Sequence, residues 1–388
     1  MEKKKILFIC SNLNVGGVQK SLVSLLNSFD YEKYSVDLLL TYSKGQFLKY
    51  IPNDVNIISI PEYYYINIKN MKLSNFFSHP IHFTCKILAS LFFRFDKCLS
   101  AWISSRTFFK IDKFYDVAVD YAGQSLLYYL VDRVRANRKI TFFHNDYKKW
   151  DYYKKYDTKY YKQVDYIATV SKQCVLSMQE VFPECKNKIY CIENITTLKI
   201  IDMFCSHINP YEKESYDKTI IVTIGRVCKQ KGNDIAIETA NLLKQNHIDF
   251  LWYVIGPFED EHEGNCYIEK IKEYRLENHY IFLGAMDNPY DYISYADIIA
   301  QPSRFEGKAI SIDEAQILKK VVVATDFTTV HDQIINEKTG IITEMDSASF
   351  AEGLMKVIKN PNLKSTIEYN LKDKVGNGEE INKLYKLF

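Results

Sequence analysis

The chain has 388 residues, of which 47% are hydrophobic and 25% charged, and these values are typical of globular proteins rather than of disordered or fibrous ones. Its net charge of +2 gives no support for nucleic acid as the main partner. Nine cysteines without a Cys-x-x-Cys pair exclude zinc-ribbon and thioredoxin-like sites and favour free thiols in a reducing compartment. The apolar stretch at residues 6–10 is too short for a signal peptide, so we expect a cytoplasmic protein.

The first strand, predicted at Lys5–Cys10, is followed by a loop that ends in Gly16 and Gly17. From Val18 onward the apolar residues recur at helical spacing, so this part predicts the opening of a Rossmann-like domain. The glycine pair lies where a diphosphate or a sugar could approach the backbone, and a tight turn without a ligand is the alternative. The chain lacks Gly-x-Gly-x-x-Gly, which argues against NAD or FAD.

Residues 62–112 interrupt the alternation of strands and helices with a segment rich in aromatic and basic residues. Two interpretations are open here. The segment could lie on an anionic inner-membrane surface through residues 72–113, or it could be a long helix that packs its apolar face on its own domain.

The strand predicted at Lys139–Phe143 leads into His144, Asn145 and Asp146. A histidine and an aspartate at the carboxyl end of a parallel strand lie where α/β enzymes bind their ligands, although a histidine that only stabilises a loop is the alternative. We predict a first domain at 1–200, a linker at 201–217, a second domain at 218–365 and a final helix at 366–388.

In the second half, the strand predicted at Thr219–Ile224 leads to Gly225 and Arg226, and Lys231 begins a helix. The next strand, predicted at Phe250–Ile255, ends at Gly256. Arg226 and Lys231 could supply fixed positive charge to a diphosphate leaving group. No two aspartates are two residues apart, so the Asp-x-Asp motif of metal-dependent sugar transferases is missing and we expect no metal.

Residues 297–316 combine an apolar strand, a turn with Glu306 and Gly307, and a helix that carries Glu314. Suppose that a nucleotide-diphosphate sugar binds beside this turn. We then predict that Glu306 contacts hydroxyls of the sugar and that Glu314 binds the ribose hydroxyls of the nucleotide. Amides of the turn would line the sugar and the phosphate, and these belong to Gly307, Lys308, Ala309 and Ile310. The ordinary alternatives are surface ion pairs and a carboxylate that stabilises a helix N-terminus.

These motifs resemble family 4 of the GT-B glycosyltransferases over nearly the whole chain, most closely bacterial members that build capsule, O-antigen or related polysaccharides. The resemblance implies an α/β fold with two Rossmann-like domains whose parallel sheets face each other across a cleft. It also implies retaining, metal-independent transfer of a hexose from a nucleotide sugar, usually a UDP-sugar, with no further cofactor. His144 would then lie over the sugar and Asp146 near the acceptor, and a final helix would cross back to the first domain.

The chain departs from the family pattern near the sugar, where Ala309 replaces a common proline and Phe327 and Thr328 replace a frequent Gly-Gly pair. The departures bear on the identity of the donor sugar more than on the reaction. We place Glu306, Arg226, Lys231 and His144 in the catalytic centre, with a lipid-linked or oligosaccharide acceptor. An epimerase or hydrolase on the same scaffold, or a binding protein without turnover, are the alternatives.

Overall fold

The computed structural model describes residues 2–42, 44–66, 72–149, 153–212 and 218–388. The chain divides into two compact units, one formed by Met1–Asn194 together with Glu379–Phe388 and the other by Ile195–Gly378. The linker predicted at 201–217 begins inside a helix of the second unit, and its last residues, 213–217, lie outside the described residues. Each unit is built on its own sheet of parallel strands, which confirms the predicted α/β fold class.

The first unit contains a seven-stranded sheet in the order β3-β2-β1-β4-β5-β6-β7, and all of its neighbouring strands are parallel. Its strands are β1 (Lys4–Cys10), β2 (Tyr34–Leu40), β3 (Val55–Ile57), β4 (Phe114–Asp120), β5 (Arg135–Phe143), β6 (Tyr166–Thr169) and β7 (Ile189–Cys191). The central strands end in runs of fully buried residues because helices cover the sheet on both faces.

The α-helices of the first unit before residue 195 are α1 (Gly17–Asn27), α2 (Leu73–Ser78), α3 (Pro80–Phe92), α4 (Lys97–Ser105), α5 (Ser125–Arg133), α6 (Lys154–Tyr161) and α7 (Lys172–Val181). Short 3₁₀ helices occupy Gln46–Tyr50, Glu62–Tyr65, Tyr147–Lys149 and Pro183–Lys188. The segment 62–112 is therefore a succession of short helices and not one long helix. Asp96 accepts a hydrogen bond from the backbone of Leu99 and so starts α4 separately from α3.

The second unit contains a six-stranded parallel sheet in the order β10-β9-β8-β11-β12-β13. Its strands are β8 (Thr219–Ile224), β9 (Phe250–Ile255), β10 (Tyr280–Gly284), β11 (Ile298–Gln301), β12 (Val321–Thr325) and β13 (Ile341–Thr343). Its α-helices are α8 (Leu198–Phe204), α9 (Asn233–Gln245), α10 (Glu261–Glu273), α11 (Tyr290–Tyr295), α12 (Ile310–Ile317), α13 (Ser347–Ile358) and α14 (Pro361–Asn370). Short 3₁₀ helices lie at Lys229–Lys231, Val330–Asp332 and Gly378–Glu380.

The end of the chain packs on the first unit. The last helix, α15 (Ile381–Tyr385), brings Tyr385 onto Tyr34, and the two rings stack with their centroids 4.9 Å apart. The Tyr385 hydroxyl accepts a hydrogen bond of 2.7 Å from the backbone N–H of Asp30, and the Phe388 ring packs edge-on against Tyr34. The helix predicted from residue 366 is thus two elements, because α14 belongs to the second unit and α15 to the first.

Candidate functional site

The loops that follow β8, β9, β11 and β12 lie at the carboxyl edge of the second sheet, where open α/β sheets bind ligands. Two glycines allow these loops to touch. A Cβ atom added to Gly256 would lie 1.9 Å from the Gly225 carbonyl oxygen, and one added to Gly232 would lie 1.9 Å from the Pro302 carbonyl oxygen. Both glycines have positive φ angles, of +156° and +70°. Any side chain at either position would force the loops apart.

Glu306 is the centre of a buried polar cluster at this edge. Its Oε1 atom lies 2.6 Å from Nζ of Lys231 and accepts hydrogen bonds from the Ser303 hydroxyl (2.7 Å) and the Gln301 side chain (3.2 Å). The two charged side chains are 17% and 8% exposed, so water screens their attraction only weakly. The structure therefore brings the predicted residues Lys231 and Glu306 into direct contact.

Arg226 lies in the same loop as Gly225 but in a wetter environment, because its side chain is 42% exposed. Its guanidinium pairs with Glu259 and donates a hydrogen bond of 3.0 Å to the Gln230 side chain. Gln230 in turn donates to the Phe305 carbonyl oxygen at 3.1 Å. Arg226 is thus connected to the turn that carries Glu306 through one amide side chain.

The turn Gly307–Ile310 is held from outside by neighbouring side chains. The Gln333 amide accepts from the Ala309 N–H (3.0 Å) and donates to the Ala309 carbonyl oxygen (2.8 Å), while the Thr329 hydroxyl donates to the Glu306 carbonyl oxygen. The Lys308 ammonium lies 3.0 Å from the Asp313 carboxylate, and both side chains are buried. Ile310 begins α12, so this turn has a fixed conformation before any ligand binds.

Glu314 lies in the middle of α12, as the fifth of its eight residues, and is 2% exposed. Its carboxylate accepts a hydrogen bond of 2.9 Å from the Tyr290 hydroxyl. Burial beside this carboxylate raises the pKa of Tyr290 far above its usual value, so the hydroxyl keeps its proton and remains a donor. Glu314 is therefore oriented by an aromatic residue from α11.

Sequence reasoning missed the polar residues that hold these groups, namely Tyr290, Gln301, Ser303 and Gln333. A signal existed for one of them, since Gln301 is a polar residue at the end of the apolar strand β11 and is only 1% exposed. Its amide donates to Ser303 and Glu306, and its oxygen accepts from Ser311. Ser303 lies only three residues before Glu306, so its contact is local. Tyr290 and Gln333 gave no signal of their own, because each forms its hydrogen bond with a residue 24 positions away.

In the first unit, His144 follows β5 and packs against Tyr121 and Phe142, with ring centroids 4.8 Å and 5.6 Å away. Its Nε2 atom lies 3.0 Å from the Tyr121 carbonyl oxygen, which can only accept, so Nε2 carries the proton. Burial lowers the pKa of His144 to about 4. The ring is therefore neutral at pH 7 and its Nδ1 atom is an acceptor.

The other predicted residues of the first unit lie in ordinary local structure. Gly16 has an extended conformation that any residue adopts, and Gly17 is the first residue of α1. Asp146 accepts hydrogen bonds from the Ser177 hydroxyl and from the backbone N–H of Lys148.

Residues 2–42, 44–66, 72–149, 153–212 and 218–388 contain neither a candidate metal site nor a candidate membrane-spanning helix. No three His, Cys, Asp or Glu side chains in these ranges are grouped closely enough to hold a metal ion. No helix in the same ranges is long and apolar enough to cross a bilayer. The expectation of a metal-independent site stays a prediction.

Residues 208–374 match the family model described as glycosyl transferases group 1. Among curated proteins, the capsular polysaccharide biosynthesis glycosyltransferase CapM of Staphylococcus aureus is 27% identical over 187 residues, which are 46% of this chain and 48% of CapM. The N-acetylgalactosamine-N,N'-diacetylbacillosaminyl-diphospho-undecaprenol 4-alpha-N-acetylgalactosaminyltransferase of Campylobacter jejuni is 26% identical over 154 residues, which are 39% of this chain and 40% of that enzyme. The chain thus spans about half the length of the curated relatives it matches.

Solved structures resemble the chain over its full length. Anabaena HepE in complex with UDP-glucose has a TM-score of 0.72 at 15% identity and covers 99% of this chain and 100% of its own. WaaG, a glycosyltransferase involved in lipopolysaccharide biosynthesis, has a TM-score of 0.68 at 12% identity and covers 98% of this chain and 99% of its own. At these identities the likeness shows the fold, which is that of GT-B glycosyltransferases. Residues 208–374 are therefore similar to the glycosyl transferases of group 1.

Proposed function

We propose that this protein is a retaining hexosyltransferase that moves a sugar from a UDP-sugar to a hydroxyl of a lipid-linked glycan during synthesis of a bacterial surface polysaccharide. The observation that carries the proposal is the buried Lys231–Glu306 pair at the carboxyl edge of the second sheet, inside the region that matches the family. The name of CapM supports a capsule-type product, and the name of the Campylobacter enzyme supports an acceptor on a lipid diphosphate. The UDP-glucose complex of HepE supports the donor class.

Transfer from a UDP-sugar breaks the bond between the sugar and the diphosphate, so negative charge grows on the leaving phosphate. Lys231 and Arg226 would stabilise this charge, one as an oriented ammonium and the other as a planar guanidinium. In this proposal no metal ion is needed to stabilise the negative charge on the leaving phosphate. Glu306 orients Lys231 and would contact hydroxyls of the donor sugar.

Glu314 would bind the two ribose hydroxyls of the nucleotide, and the Gly307–Ile310 turn would line the sugar and the phosphates together with Gly225 and Gly256. The hydrogen bonds from Gln333 and Thr329 support this assignment, because a site that is already ordered loses less entropy when a ligand binds. In the first unit, Gly16 and Gly17 would approach the donor, His144 would accept a hydrogen bond from the sugar, and Asp146 would lie near the acceptor.

No separate nucleophile is part of the proposal. The acceptor oxygen would attack from the face that the diphosphate leaves, and the leaving phosphate oxygen would take the acceptor proton. This route forms the new glycosidic bond and breaks the old one on the same face, so the anomeric configuration is retained. His144 is neutral and would orient a hydroxyl rather than supply a charge.

Peripheral contact with an anionic bilayer is part of the proposal and rests on α2, α3 and the turn after them. Large apolar side chains are exposed there, including Phe77 (73% exposed), Ile81 (80%) and Phe95 (86%). Arg94 and Lys97 lie beside them on the exposed surface. Lys86 does not belong to this surface, because its ammonium is turned toward backbone carbonyl oxygens.

The first experiment is a calorimetric titration of the purified protein with UDP and with GDP in excess EDTA. We expect UDP to bind, Arg226→Ala and Glu314→Gln to weaken the affinity about tenfold or more, and Lys356→Ala, an exposed lysine of the same unit, to bind like the parent. If neither nucleotide binds with or without magnesium, the donor site is wrong. Release of free sugar from the donor without any acceptor would instead favour a hydrolase.

The membrane contact is tested by sedimentation with vesicles of anionic and of neutral lipid. We expect binding to anionic vesicles that weakens in a Phe77→Ser, Phe95→Ser variant and in an Arg94→Glu, Lys97→Glu variant. Tyr369→Ser is the control, because Tyr369 is 64% exposed and lies in the second unit. Equal sedimentation of all variants would remove membrane contact from the proposal.

A further inference from the structure

A cavity lies in the first unit, at the carboxyl edge of β1, β2 and β3. It has a volume of about 310 Å³ and lies between the ends of these strands and the helical segment that follows them. Ser11, Asn12 and Thr41 line its strand side, and Tyr64, Lys86 and Phe109 line the opposite side. This volume is at the lower end of the range for small-molecule sites, about 300–1,000 Å³, and suits one sugar ring better than a longer chain.

Lys86 gives this cavity its charge. Its Nζ atom donates to the carbonyl oxygens of Tyr64 (2.7 Å) and Ile66 (2.9 Å), which fixes the ammonium at the wall. None of the lining side chains is acidic, and within the described part of the chain no carboxylate lies within ion-pair distance of Nζ. Carbonyl dipoles offset a buried positive charge only in part.

The pKa shifts of Lys86 and its neighbour have the direction expected for a charge that is compensated only in part. Burial lowers the pKa of Lys86 to about 8, and no neighbouring group raises it again. His82, one helical turn away, has a pKa lowered to about 4 by burial and by the nearby Lys86 charge. A ligand with a negative charge would stabilise the ammonium, and the aromatic wall would cover the apolar face of a ring.

We propose that this cavity binds an anionic group of the acceptor glycan, a carboxylate or a phosphate attached to a sugar ring, through the Lys86 ammonium. The inference rests on the proposed function, since it names the chemical class of the acceptor. The charge could come from an acidic sugar in the glycan or from the phosphate that joins a glycan to its lipid. A neutral acceptor could accept a hydrogen bond from the ammonium but would leave its charge uncompensated.

Two substitutions each lower the charge of the cavity by one unit, the first by removing the ammonium and the second by adding a carboxylate. Lys86→Met removes the ammonium with little change in length, but it also releases the Tyr64 and Ile66 carbonyl oxygens. Asn12→Asp is nearly isosteric and leaves Lys86 in place, and its new carboxylate can still accept from the Asn14 N–H as the Asn12 side chain does. It would place a negative charge across the cavity from Lys86 and repel an anion. Asn362→Asp, on the exposed surface of α14, is the matched control.

The experiment measures the affinity of the full chain for a methyl glucuronide, a methyl glucoside phosphate and a neutral methyl glucoside. We expect at least one anionic probe to bind about tenfold or more tightly than the neutral one, and both cavity variants to lose that preference while the control keeps it. A preference for the glucuronide alone identifies an acidic sugar, and one for the phosphate alone identifies the lipid-linked phosphate. Equal binding of all three probes, or unchanged binding in both variants, would overturn the proposal.

A UDP titration of the same samples separates the two proposals. UDP binding without any preference for an anionic probe would leave the transferase in place and remove the anion site. An anion preference without UDP binding would leave the anion site in place and remove the transferase. UDP affinity is expected to be unchanged in the Lys86→Met and Asn12→Asp variants, because both positions belong to the first unit and the nucleotide residues Arg226 and Glu314 to the second.

Discussion

Lys231 and Glu306 are 75 residues apart in the chain and form a buried ion pair 2.6 Å long between two neighbouring loops of the second sheet. Removal of one partner leaves the other charge in a poorly solvated environment, so the pair is more sensitive to a single substitution than to a double one. The same unit contains a matched exposed pair, Lys356 and Glu337, which has the same 2.6 Å distance. The two pairs differ mainly in burial.

We first predict that Glu306→Gln lowers the free energy of unfolding by about 1–3 kcal/mol, because Lys231 loses its counter-charge and the Gln301 and Ser303 side chains lose a charged acceptor. Glu337→Gln should change it by less than about 0.5 kcal/mol, because water screens the exposed pair. Urea unfolding at pH 7 measures both values. Equal losses of unfolding free energy in the two variants would show that burial of the Lys231–Glu306 pair does not contribute to stability.

Our second prediction is that Lys231→Met slows release of UDP from the donor sugar about 10²–10³-fold, as expected when one oriented donor to a developing negative charge is removed. Release of UDP is followed with a UDP-sugar and an acceptor glycan that the parent turns over. Lys356→Met should retain the parent rate. A Lys231→Met variant that binds UDP and turns over like the parent would mean that the lysine only stabilises the fold.

Our third prediction concerns pH. Burial raises the pKa of Asp157 to about 7 from a usual value of 3.8, although Tyr128 and Tyr147 donate hydrogen bonds to its carboxylate. The folded state binds this proton more tightly than the unfolded state does. The resulting stabilisation is complete below about pH 4 and is lost as the pH rises to about 7.

Asp157→Asn removes this titration. The unfolding free energy of the parent should therefore fall relative to that of the variant as the pH rises from about 4 to about 7. Above pH 7 the difference between the two should stay constant. Other titrating groups contribute equally to parent and variant, so their contributions cancel in the difference. Among them are Asp120, for which burial raises the pKa to about 6, and His144, for which burial lowers the pKa. Urea midpoints at several pH values are the measurement, and a constant difference across this range would contradict the assignment.

The fourth prediction concerns the end of the chain. Tyr385→Ala should lower the unfolding free energy of the first unit by about 2 kcal/mol, since it removes a ring that stacks on Tyr34 and the hydroxyl that accepts from Asp30. Tyr369→Ala, at an exposed position of α14, should change stability by less than about 0.5 kcal/mol. Tryptophan fluorescence in urea is a suitable probe, because Trp102 lies in the first unit and Trp252 in the second.

Periodicity predicted the elements of the second unit best. The strands predicted at Thr219–Ile224 and Phe250–Ile255 have the observed bounds, because each is a short apolar run that ends at a glycine. Helix α10 escaped prediction because its sequence is dominated by charged and polar residues and only a few of its side chains are buried. Helix α8 was hidden in the predicted linker because it spans only seven residues.

Sequence reasoning selected Lys231, Glu306 and Glu314 from their spacing around strand ends, and the structure explains how the first two meet. It could not predict that Gln333 and Tyr290 hold the turn and Glu314, because a hydrogen bond across many residues leaves no local pattern. It also counted Lys86 among the basic residues of a surface segment. Only the fold shows that this ammonium is fixed to the Tyr64 and Ile66 carbonyl oxygens.

The return of Glu379–Phe388 to the first unit has a consequence for biosynthesis. The second unit is an insertion in the sequence of the first, so a ribosome must add all of Ile195–Gly378 before Tyr385 and Phe388 can cover Phe29 and Tyr34. At about 5–20 residues per second this takes roughly 10–40 s. During that interval an aromatic surface of the nascent chain is exposed to water, and it is the surface that a chaperone would have to protect.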